Sequence, residues 1–483
     1  MKLSPFFTTM AFLVLTKIAV CQSNTFDPNR IIEFTNAFIL EEAAIIQTAF
    51  NKPVVEFHEA IVIGAGISGL QAATVLKNGN VDVKILEARP RIGGRIVTAT
   101  MDGAYADLGA SWLHNTPANP LAFLANNLGI PLIPTPVTPT DYAIFNNGTK
   151  VSQTDINTLF FYSPDLTTSL VNRQYVSCGS LENAINCFVL NTIPSPLIPY
   201  AMYSYNFDLA AWFAANTNGI SATVAPSYLP LHHDALPSIG YTNFIDEIFD
   251  VNSLDIRLNS VVDKIDYTKD YVIINTKDGR TFVTKYLVIT VPIGVLKENS
   301  IQFVPSLPTN IQTAIQNMGN GLMNKVYMQF DQIFWDNSLA FSLLYTANPL
   351  VNYYMIFNFG RYVNKPILLT FSIGEFAALL EKMSDSEIID SVMNQIRLIY
   401  PTAPDPIETI ITRWGQDEFS KGAYSYPSLN TTFQDYTNLM TPVQNRLFFA
   451  GEAVNINING SADAAYISGE NAATQILNII HSR

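Results

Sequence analysis

The sequence predicts an α/β fold in which a dinucleotide-binding domain is interleaved with a second domain of the α+β type. Three tracts carry this prediction: a strand, glycine turn, helix and strand over residues 59–86, a β-meander over 254–291, and a strand, glycine turn and helix over 447–480. The remaining tracts are aromatic-rich, and we expect them to be irregular and to form the second domain. The predicted division is 59–135, 238–300 and 440–483 for the first domain and 136–237 and 301–439 for the second.

The composition excludes several classes of protein. Of the 483 residues, 48% are hydrophobic, which allows a large core and excludes a disordered or low-complexity chain. Only 14% of residues are charged and the net charge is -13. A chain this acidic is repelled by phosphate backbones and anionic membranes, so we expect no nucleic-acid partner. It attracts small cations, which admits a positively charged substrate.

The N-terminal residues have the pattern of a secretory signal peptide. Lys2 precedes an apolar stretch from Pro5 to Val20, and small and polar residues follow, so we expect residues 1–21 to be cleaved near Cys21. A membrane-anchoring helix is the alternative, although Lys17 interrupts a run that would need about 20 apolar residues to span a bilayer. The pattern therefore predicts a secreted or lumenal protein without stable membrane insertion. Residues 22–58 are predicted to form an N-terminal extension with an amphipathic helix between 29 and 50.

Cysteines and sequons fit an exported chain. After cleavage at Cys21 only Cys178 and Cys187 remain, either as a disulfide or as two free buried thiols. Three Asn-X-Ser/Thr patterns, at Asn147, Asn430 and Asn459, are glycosylation sequons, a pattern that also arises often by chance.

The first βαβ unit carries a glycine motif with a mechanism. We predict a strand over Glu59–Ile63, a helix over Ile67–Leu76 and a strand over Val81–Leu86. The turn between strand and helix reads Gly64-Ala65-Gly66-Ile67-Ser68-Gly69, where glycines permit close approach of a pyrophosphate to the helix N-terminus. Glu87, at the end of the second strand, can accept hydrogen bonds from ribose hydroxyls. Together these features indicate a Rossmann-type dinucleotide site rather than a purely structural turn.

Two later tracts complete the predicted sheet. Residues 271–275 and 281–290 are rich in β-branched and aromatic residues and flank Asp278-Gly279, a hairpin signal. The last tract begins with a strand at Leu447 and ends in a helix over Ala462–Ile480, whose positive end would favour negative charge on a bound ring system.

Five motifs in fixed order resemble the flavin amine oxidase family, and most closely its polyamine oxidase branch. These are the runs Glu87 to Arg95, Asp107 to His114, Gly321 to Val326 before Phe334-Trp335, Trp414-Gly415 before Lys421 to Tyr426, and Phe449 to Glu452 before Gly460-Ser461. The resemblance covers about residues 59–480 and is weakest between 150 and 237. It implies an FAD-binding domain with an interleaved substrate-binding domain. It also implies that hydride passes from the carbon beside a substrate nitrogen to flavin N5, that water hydrolyses the imine, and that O2 reoxidises the flavin to give H2O2.

The resemblance assigns a set of residues to the cofactor. Arg89 and Arg95 would neutralise the pyrophosphate unless they are ordinary surface arginines, Glu452 would meet the ribityl and pyrophosphate region, and the backbone of Val262 would meet adenine. Because no cysteine lies between Trp414 and Tyr424, the FAD is expected to be noncovalent. The full predicted set is Gly64, Gly66, Ile67, Ser68, Gly69, Glu87, Ala88, Arg89, Gly94, Arg95, Gly109, Ala110, Ser111, Trp112, Val262, Trp414, Gly451, Glu452, Ser461 and Ala462.

Two side chains are predicted to take part in the reaction. Lys325 matches the family lysine that holds a water next to flavin N5, although a lysine at a strand end is more often solvated. His114 matches the histidine that meets the substrate amine chain. The substrate is expected to be a small polycationic amine that also contacts Trp112, Tyr424, Ser461 and Asp208.

Other features separate this chain from its alternatives. His232-His233-Asp234 lacks convincing ligand spacing, so we expect no metal. Asp463 and Ala464 stand where relatives often have His and Gly, which leaves the substrate preference open.

Two alternative functions are considered. An L-amino-acid oxidase would need a basic residue to bind the substrate carboxylate, and no arginine here has motif support for that role. A secreted flavoprotein without turnover is the alternative of another class. Histone demethylation is disfavoured by the acidic, exported chain. The oligomeric state and the cleaved C–N bond stay open.

Overall fold

The computed structural model describes residues 55–146, 148–225, 233–345, 355–455 and 457–482. Two large β-sheets organise them, and helices cover both. The predicted signal peptide and the helix predicted over 29–50 lie outside the described residues, as do Asn147 and His232.

The first sheet has eight strands and contains the predicted βαβ unit. One end of it is parallel: Val55–Ile63 pairs with Val83–Leu86, which pairs in turn with the edge strand Asp255–Arg257. The predicted β-meander adds antiparallel strands beside it, with Val262 opposite Thr276 and Val272 opposite Thr284. The eight strands are Val55–Ile63, Val83–Leu86, Asp255–Arg257, Val262–Asp266, Val272–Thr276, Thr281–Ile289, Gln302–Val304 and Leu447–Phe449.

The second sheet has seven strands and is mainly antiparallel. Its longest pairing involves Met323–Gln329, the strand next to one edge, which pairs with Ile367–Ile373 on one side and the edge strand Glu408–Ile411 on the other. The seven strands are Tyr142–Asn146, Thr149–Lys150, Met323–Gln329, Phe341–Tyr345, Met355–Phe357, Ile367–Ile373 and Glu408–Ile411. Three further pairs are two-stranded: Thr98–Met101 with Ala104–Asp107, Leu132–Pro134 with Ala235–Pro237, and Gly319–Asn320 with Ser425–Tyr426.

Two helices cross closely on the first sheet. In Ile67–Asn78, Leu70, Ala72 and Leu76 are fully buried, and the C-terminal helix Ala462–His481 packs against it. A Cβ on Gly469 would lie 2.1 Å from the backbone oxygen of Ser68, so only glycine permits this crossing. The crossing fixes both helix N-termini near the same end of the sheet, where the first strands finish.

The other α-helices lie outside this pair. Those over Gln153–Val171, Leu181–Thr192 and Ile198–Phe213 form a helical layer of the second domain. The remaining helices are Pro120–Leu128, Tyr241–Ile248, Ile293–Lys297, Thr309–Asn317, Gly360–Val363, Gly374–Leu380, Asp385–Ile399 and Phe433–Met440.

Some sequence expectations differ from the structure. The first strand begins at Val55, four residues before the predicted start, because Glu56 is held in ion pairs with Lys84 and Arg257 that keep a polar strand end in the sheet. Strand Gln302–Val304 belongs to the first sheet although it follows the predicted boundary at 300. The expectation of irregular structure in 136–237 and 301–439 was wrong, because the described parts form regular helices and strands. Some of their prolines are compatible with helices: Pro199 lies in the first turn of one helix and Pro164 inside another.

The cysteine pair and one sequon can be judged from the structure. The sulfur atoms of Cys178 and Cys187 lie 3.2 Å apart as free thiols, so the two residues are close enough to interact. Asn459 is buried and its side chain donates to Ser425 at 3.0 Å. That sequon is therefore not accessible to a glycan in the folded protein, whereas Asn430 is exposed.

Candidate active site

A single cavity of about 1070 Å³ joins the glycine turn of the first sheet to the helical layer of the second domain. Its volume is slightly above the range for small-molecule sites, about 300–1,000 Å³. All the predicted cofactor, substrate and catalytic residues line it except Gly69. The structure therefore brings together residues that the sequence separates by almost 400 positions.

The glycine turn leaves a cradle at the helix N-terminus. Gly64 has a φ of +103°, a left-handed conformation that favours glycine. A Cβ on Gly69 would lie 1.9 Å from the oxygen of Gly64, so Gly69 serves the packing of the turn rather than the cavity wall. Gly66 faces the cavity, and the first turn of the helix has no side-chain cap. Its free N–H groups are suited to a phosphate.

Glu87 is buried and ties the turn to the strand that follows. One carboxylate oxygen accepts from the backbone N–H of Ala65 at 2.6 Å and the other from that of Arg89 at 2.8 Å. A carboxylate has about four acceptor sites, so lone pairs remain for hydroxyl donors in the cavity.

The two arginines are neither on the open surface nor free. Arg89 makes a bidentate ion pair with Asp417, at 2.9 and 2.6 Å, and a further hydrogen bond to Ser420. Its charge is thus balanced within the protein, and its role is to tie the segment after Glu87 to residues 417–420. Arg95 donates through one nitrogen, Nη1, to the oxygen of Ala423 and to Glu452, both at 2.8 Å.

Glu452 is a buried junction rather than a free acid. Besides Arg95 it accepts from the hydroxyl of Ser425 and, at 3.0 Å, from the backbone N–H of Gly460. Because these partners come from three separate segments, Glu452 holds the walls of the cavity together near the start of the C-terminal helix.

Lys325 is fully enclosed and uses its ammonium group inside the protein. Its Nζ donates to the backbone oxygens of Asp107 and Gly109, both at 2.7 Å, and to the hydroxyl of Ser111 at 2.5 Å. Burial lowers the pKa of Lys325 to about 7, against the opposing effect of the Asp107 carboxylate. Burial in turn raises the pKa of Asp107 to about 6, against hydrogen bonds from Thr98 and Tyr241. The side chain of Lys325 can therefore change its charge near neutral pH.

The segment that Lys325 holds cannot move without losing close contacts. A Cβ on Gly109 would lie 1.7 Å from the oxygen of Arg95. Trp112 contacts Phe357 edge-on, with 5.6 Å between ring centroids, and its Nε1 donates to Thr135 at 3.1 Å. Nζ of Lys325 lies 5.7 Å from the centre of the Trp112 ring. These contacts give the cavity a fixed wall from Asp107 to Trp112.

Tyr424 and Ser461 face the cavity with hydroxyl groups that are already engaged. The phenol of Tyr424 donates to the oxygen of Ala211 at 2.7 Å, and burial raises its pKa. Ser461 is the N-cap of the C-terminal helix: it accepts from the N–H of Ala464 at 3.2 Å and donates to the oxygen of Ile458 at 2.8 Å. Both residues therefore form part of the cavity wall, but their hydroxyl groups are already hydrogen-bonded within the protein.

Asp208, on the helix Ile198–Phe213, has the one predicted carboxylate that points into the cavity without a partner among the described residues. Its side chain is exposed to the open volume of the cavity. Partial loss of hydration among the surrounding protein atoms raises the pKa of Asp208 to about 7. A cation in the cavity would restore the charged form.

Sequence reasoning missed several groups that shape the site. Thr290 supports the glycine turn by donating to the oxygen of Ile63 at 2.8 Å. Asn324 is buried beside Lys325, donates to Glu381 at 2.7 Å and accepts from the N–H of Trp414 at 2.8 Å. An asparagine in an otherwise apolar strand is a signal that could have indicated this network, whereas Glu381 and Asp417 had none.

The described part of the histidine–aspartate run is His233 and Asp234. Asp234 lies beside His114 and not in a cluster of ligands, and the described residues contain no group of three His, Cys, Asp or Glu side chains that could hold an ion. Among the same residues no helix has the length and apolarity needed to cross a bilayer.

A family model described as flavin-containing amine oxidoreductase matches residues 67–182 and 200–477. The chain belongs to this family. Two curated relatives are a probable polyamine oxidase 4 of Arabidopsis thaliana, 34% identical over 88% of both chains, and polyamine oxidase 4 of Oryza sativa subsp. japonica, 34% identical over 86% of this chain and 88% of the other. A lysine-specific histone demethylase 1 homolog of Arabidopsis thaliana is 30% identical over 94% of this chain, which spans 55% of that protein.

A solved structure supports the fold. It is a double mutant of putrescine oxidase from a redesign of cofactor binding, with a TM-score of 0.73 and 18% identity over 88% of this chain and 100% of the other. The amine oxidase fold, with its FAD-binding and substrate domains, is thus confirmed, as is the resemblance on which the prediction rested.

Membership of the family makes this protein a flavin-dependent amine oxidoreductase that acts on an amine with O2. The cavity fits the flavin: a cradle at Gly66 that a side chain would fill, acceptor sites on Glu87, and the second guanidinium nitrogen of Arg95. When bound, FAD takes up two electrons and a hydrogen from the substrate and passes the electrons to O2. The protein binds the FAD and the substrate, orients them, and limits the access of water to the reacting atoms.

Replacing Gly66 with alanine should weaken FAD binding without weakening the fold. Gly66 has an ordinary extended conformation, φ −73° and ψ 173°, and a Cβ there would come no closer than 4.0 Å to protein atoms. The methyl group would instead occupy the cradle, so we expect the FAD dissociation constant to rise at least about 10-fold. Flavin fluorescence titration of the apoprotein measures this.

The matched control is Gly219→Ala, whose Cβ would lie 3.8 Å from the hydroxyl of Tyr426, away from the cavity. Both variants should melt within a few degrees of the apo wild type. Unchanged FAD affinity in Gly66→Ala would show that the cradle does not hold the cofactor.

Proposed function

We propose that this protein is an FAD-dependent polyamine oxidase that oxidises spermine, spermidine or their acetylated forms at the carbon next to a secondary amine. The observation that carries the proposal is the position of Asp208: an exposed carboxylate, without a hydrogen-bond or ion-pair partner among the described residues, in the wall of the same cavity that contains the flavin cradle. The named activities of the two polyamine oxidase relatives support it.

The walls around Asp208 suit an alkyl chain that carries more than one cation. The cavity is lined by the aromatic side chains of Tyr142, Phe160 and Trp212 and by the aliphatic side chains of Ile156 and Leu159. Such walls exclude water and attract cations through their ring faces. A carboxylate that has lost part of its hydration gains from a cation it can pair with, because the cation stabilises the charged form. A polyamine offers a distal ammonium group for Asp208 while another of its nitrogens lies near the flavin end.

The cavity does not suit an amino acid carboxylate. Its basic lining residues among the described part of the chain are engaged: Arg89 with Asp417, Arg95 with Glu452, and Lys325 with three oxygen acceptors. Lys277 and Lys421 lie beside Glu418 and Glu298. An L-amino-acid oxidase would need an uncommitted basic group here, so that alternative lacks support.

The substrate test is anaerobic reduction of the flavin. The purified flavoprotein is mixed with spermine, spermidine, N-acetylspermine, benzylamine, leucine and a methyl-lysine peptide, and bleaching of the flavin band is followed. We expect rapid bleaching by at least one polyamine. Product masses after readmission of O2 then identify the C–N bond that is cleaved. Bleaching by leucine or the methylated peptide, but by no polyamine, would contradict the proposal.

The FAD is proposed to be noncovalent. The segment from Trp414 to Tyr424 lines the cavity and has Ala423 and no cysteine, so no thiol there can form a thioether to the flavin. Acid precipitation should therefore release the yellow colour into the supernatant. Flavin that remains with the precipitate would show a covalent link.

Export to the secretory lumen or the cell exterior is also proposed, on the signal-like N-terminus alone. N-terminal sequencing of protein recovered from the medium of expressing cells should give a start close to residue 22. Retention of the intact N-terminus in the cytosol would overturn this.

A further inference from the structure

The two nitrogens of the His114 ring lie in different surroundings. Nδ1 is shielded from solvent, and the nearest acceptor is Oδ2 of Asp234 at 3.0 Å. The contact does not have the geometry of a hydrogen bond, so it is a close electrostatic contact between the ring nitrogen and the carboxylate. Nε2 has no hydrogen bond to the described residues and is not enclosed in the same way. The accessible edge of the ring therefore carries Nε2 into the cavity that His114 lines.

Asp234 is placed by contacts on both sides. Its Oδ1 accepts from the backbone N–H of Asn115 at 3.2 Å, and its backbone oxygen accepts from Thr135, whose hydroxyl holds Trp112. The following residue, Ala235, exchanges two backbone hydrogen bonds with Leu113, at 2.8 and 3.1 Å. Asp234 is thus fixed against the segment that carries Trp112 and His114, which are both predicted substrate contacts.

The chemistry of the shielded nitrogen decides the tautomer. A buried ring nitrogen without a partner is costly, and the polar atom that lies 3.0 Å from Nδ1 belongs to a carboxylate, which accepts but does not donate. Other groups near the ring are the edge-on ring of Trp212 and the carboxylate of Asp463. Nδ1 must then carry the proton, and in the neutral ring Nε2 is left with a lone pair. A lone pair facing the cavity accepts a hydrogen bond from an amine N–H and can orient the substrate nitrogen.

We infer that Asp234 is a positioning residue for the amine substrate: it holds the proton on Nδ1 of His114 and so presents Nε2 as the acceptor for the substrate N–H. The inference rests on the proposed function only for the identity of the amine. No bond to carbon forms or breaks in this step, and the proton on Nδ1 stays where it is.

The variant Asp234→Asn tests the inference with little change in shape. Oδ1 of the asparagine can still accept from Asn115, which places the amide nitrogen beside Nδ1 of His114. This amide donates, so Nδ1 becomes the acceptor and the proton moves to Nε2. Nε2 of His114, which accepts a hydrogen bond from the substrate in the wild type, then becomes a donor.

The first measurement needs no substrate. The chain has 5 histidines, so ring nitrogens labelled with ¹⁵N can be assigned by comparison with His114→Leu. We expect the Nδ1–H tautomer of His114 in the flavoprotein and the Nε2–H tautomer in Asp234→Asn. The same tautomer in both proteins, or Nε2–H in the wild type, would overturn the inference whatever the substrate proves to be.

The second measurement is a double-mutant cycle on anaerobic flavin reduction by the amine that bleaches fastest. We expect Asp234→Asn to slow reduction about 10- to 100-fold, and Asp234→Glu to recover part of the loss. In a His114→Leu background the same change should have almost no further effect, because it acts through His114. The control Asp270→Asn removes an exposed carboxylate in a surface turn and should behave as the wild type.

A full additional loss from Asp234→Asn in the His114→Leu background would show a structural role and overturn the inference. The two proposals fail separately. If no polyamine bleaches the flavin, the proposed substrate is wrong, while the tautomer measurement still decides the role of Asp234.

Discussion

Replacing Lys325 with methionine should slow flavin turnover by about 100-fold or more while the FAD stays bound. The Nζ group is the shared donor for three oxygens of the wall from Asp107 to Ser111, and methionine leaves all three without it. The oxygen of Asp107 keeps the hydrogen bond from the hydroxyl of Tyr327, but the oxygen of Gly109 loses its short donor, so the wall must relax or admit water. The glycine cradle and Glu87 do not contact Lys325, so FAD should remain. Stopped-flow measurement of reduction and reoxidation would separate the two half-reactions.

Two further variants make this result specific. Lys285→Met removes an exposed lysine paired with Glu59 and should have wild-type rates. Lys325→Arg keeps a charge but does not fit the same three acceptors, so it should also be slow. Rates within about 3-fold of the wild type in both half-reactions of Lys325→Met would refute a role for this side chain in turnover.

Replacing Asp208 with asparagine should raise KM for a polyamine by about 10- to 100-fold and leave a monoamine unaffected, because only a polyamine has a second cation to pair with the carboxylate. Flavin reduction at saturating polyamine should change far less than KM. Steady-state H2O2 production with spermidine and with benzylamine measures both parameters. The control is again Asp270→Asn.

The pH dependence gives Asp208 an independent signature. Since burial raises the pKa of Asp208 to about 7, the carboxyl group is neutral below this pH and charged above it. The ratio of kcat/KM for wild type over Asp208→Asn with a polyamine should therefore increase from pH 6 to pH 8. Taking the ratio removes the pH dependence of the substrate amine, which both proteins share. A ratio that is flat or falls with pH would show that Asp208 does not bind the cation in its charged form.

The parts of the fold that sequence predicted are those with local signals. The glycine turn before Ile67, the acid at position 87 and the Asp278-Gly279 hairpin depend on residues close in the chain, and all are where the sequence indicated. The segments 136–237 and 301–439 were expected to be irregular because their prolines are frequent. Their seven-stranded sheet forms through pairings such as Tyr142–Asn146 with Phe341–Tyr345, which no local pattern indicates.

In the candidate site, too, the features with a local sequence signal were predicted and those that depend on tertiary contacts were not. Motifs indicated Lys325, His114 and the glycines, but not the partners that control them. Arg89 was predicted to meet a pyrophosphate, and its partner Asp417 lies 328 residues along the chain. Asp234 belonged to a run considered only for metal binding. Partners of this kind are determined by tertiary packing, so the structure is needed to find them.

The most direct test of the proposed polyamine oxidase activity is the stoichiometry of polyamine oxidation by the purified flavoprotein. Spermine and spermidine are each incubated with the protein and O2, and consumed amine, H2O2 and product masses are measured together. If the protein is a polyamine oxidase, we expect one H2O2 for each amine consumed, with an aldehyde and a shorter amine as products. At low substrate concentration the Asp208→Asn variant should be much slower than the wild type. No H2O2 from any polyamine, with equal amounts of H2O2 and keto acid from leucine, would contradict the proposed activity.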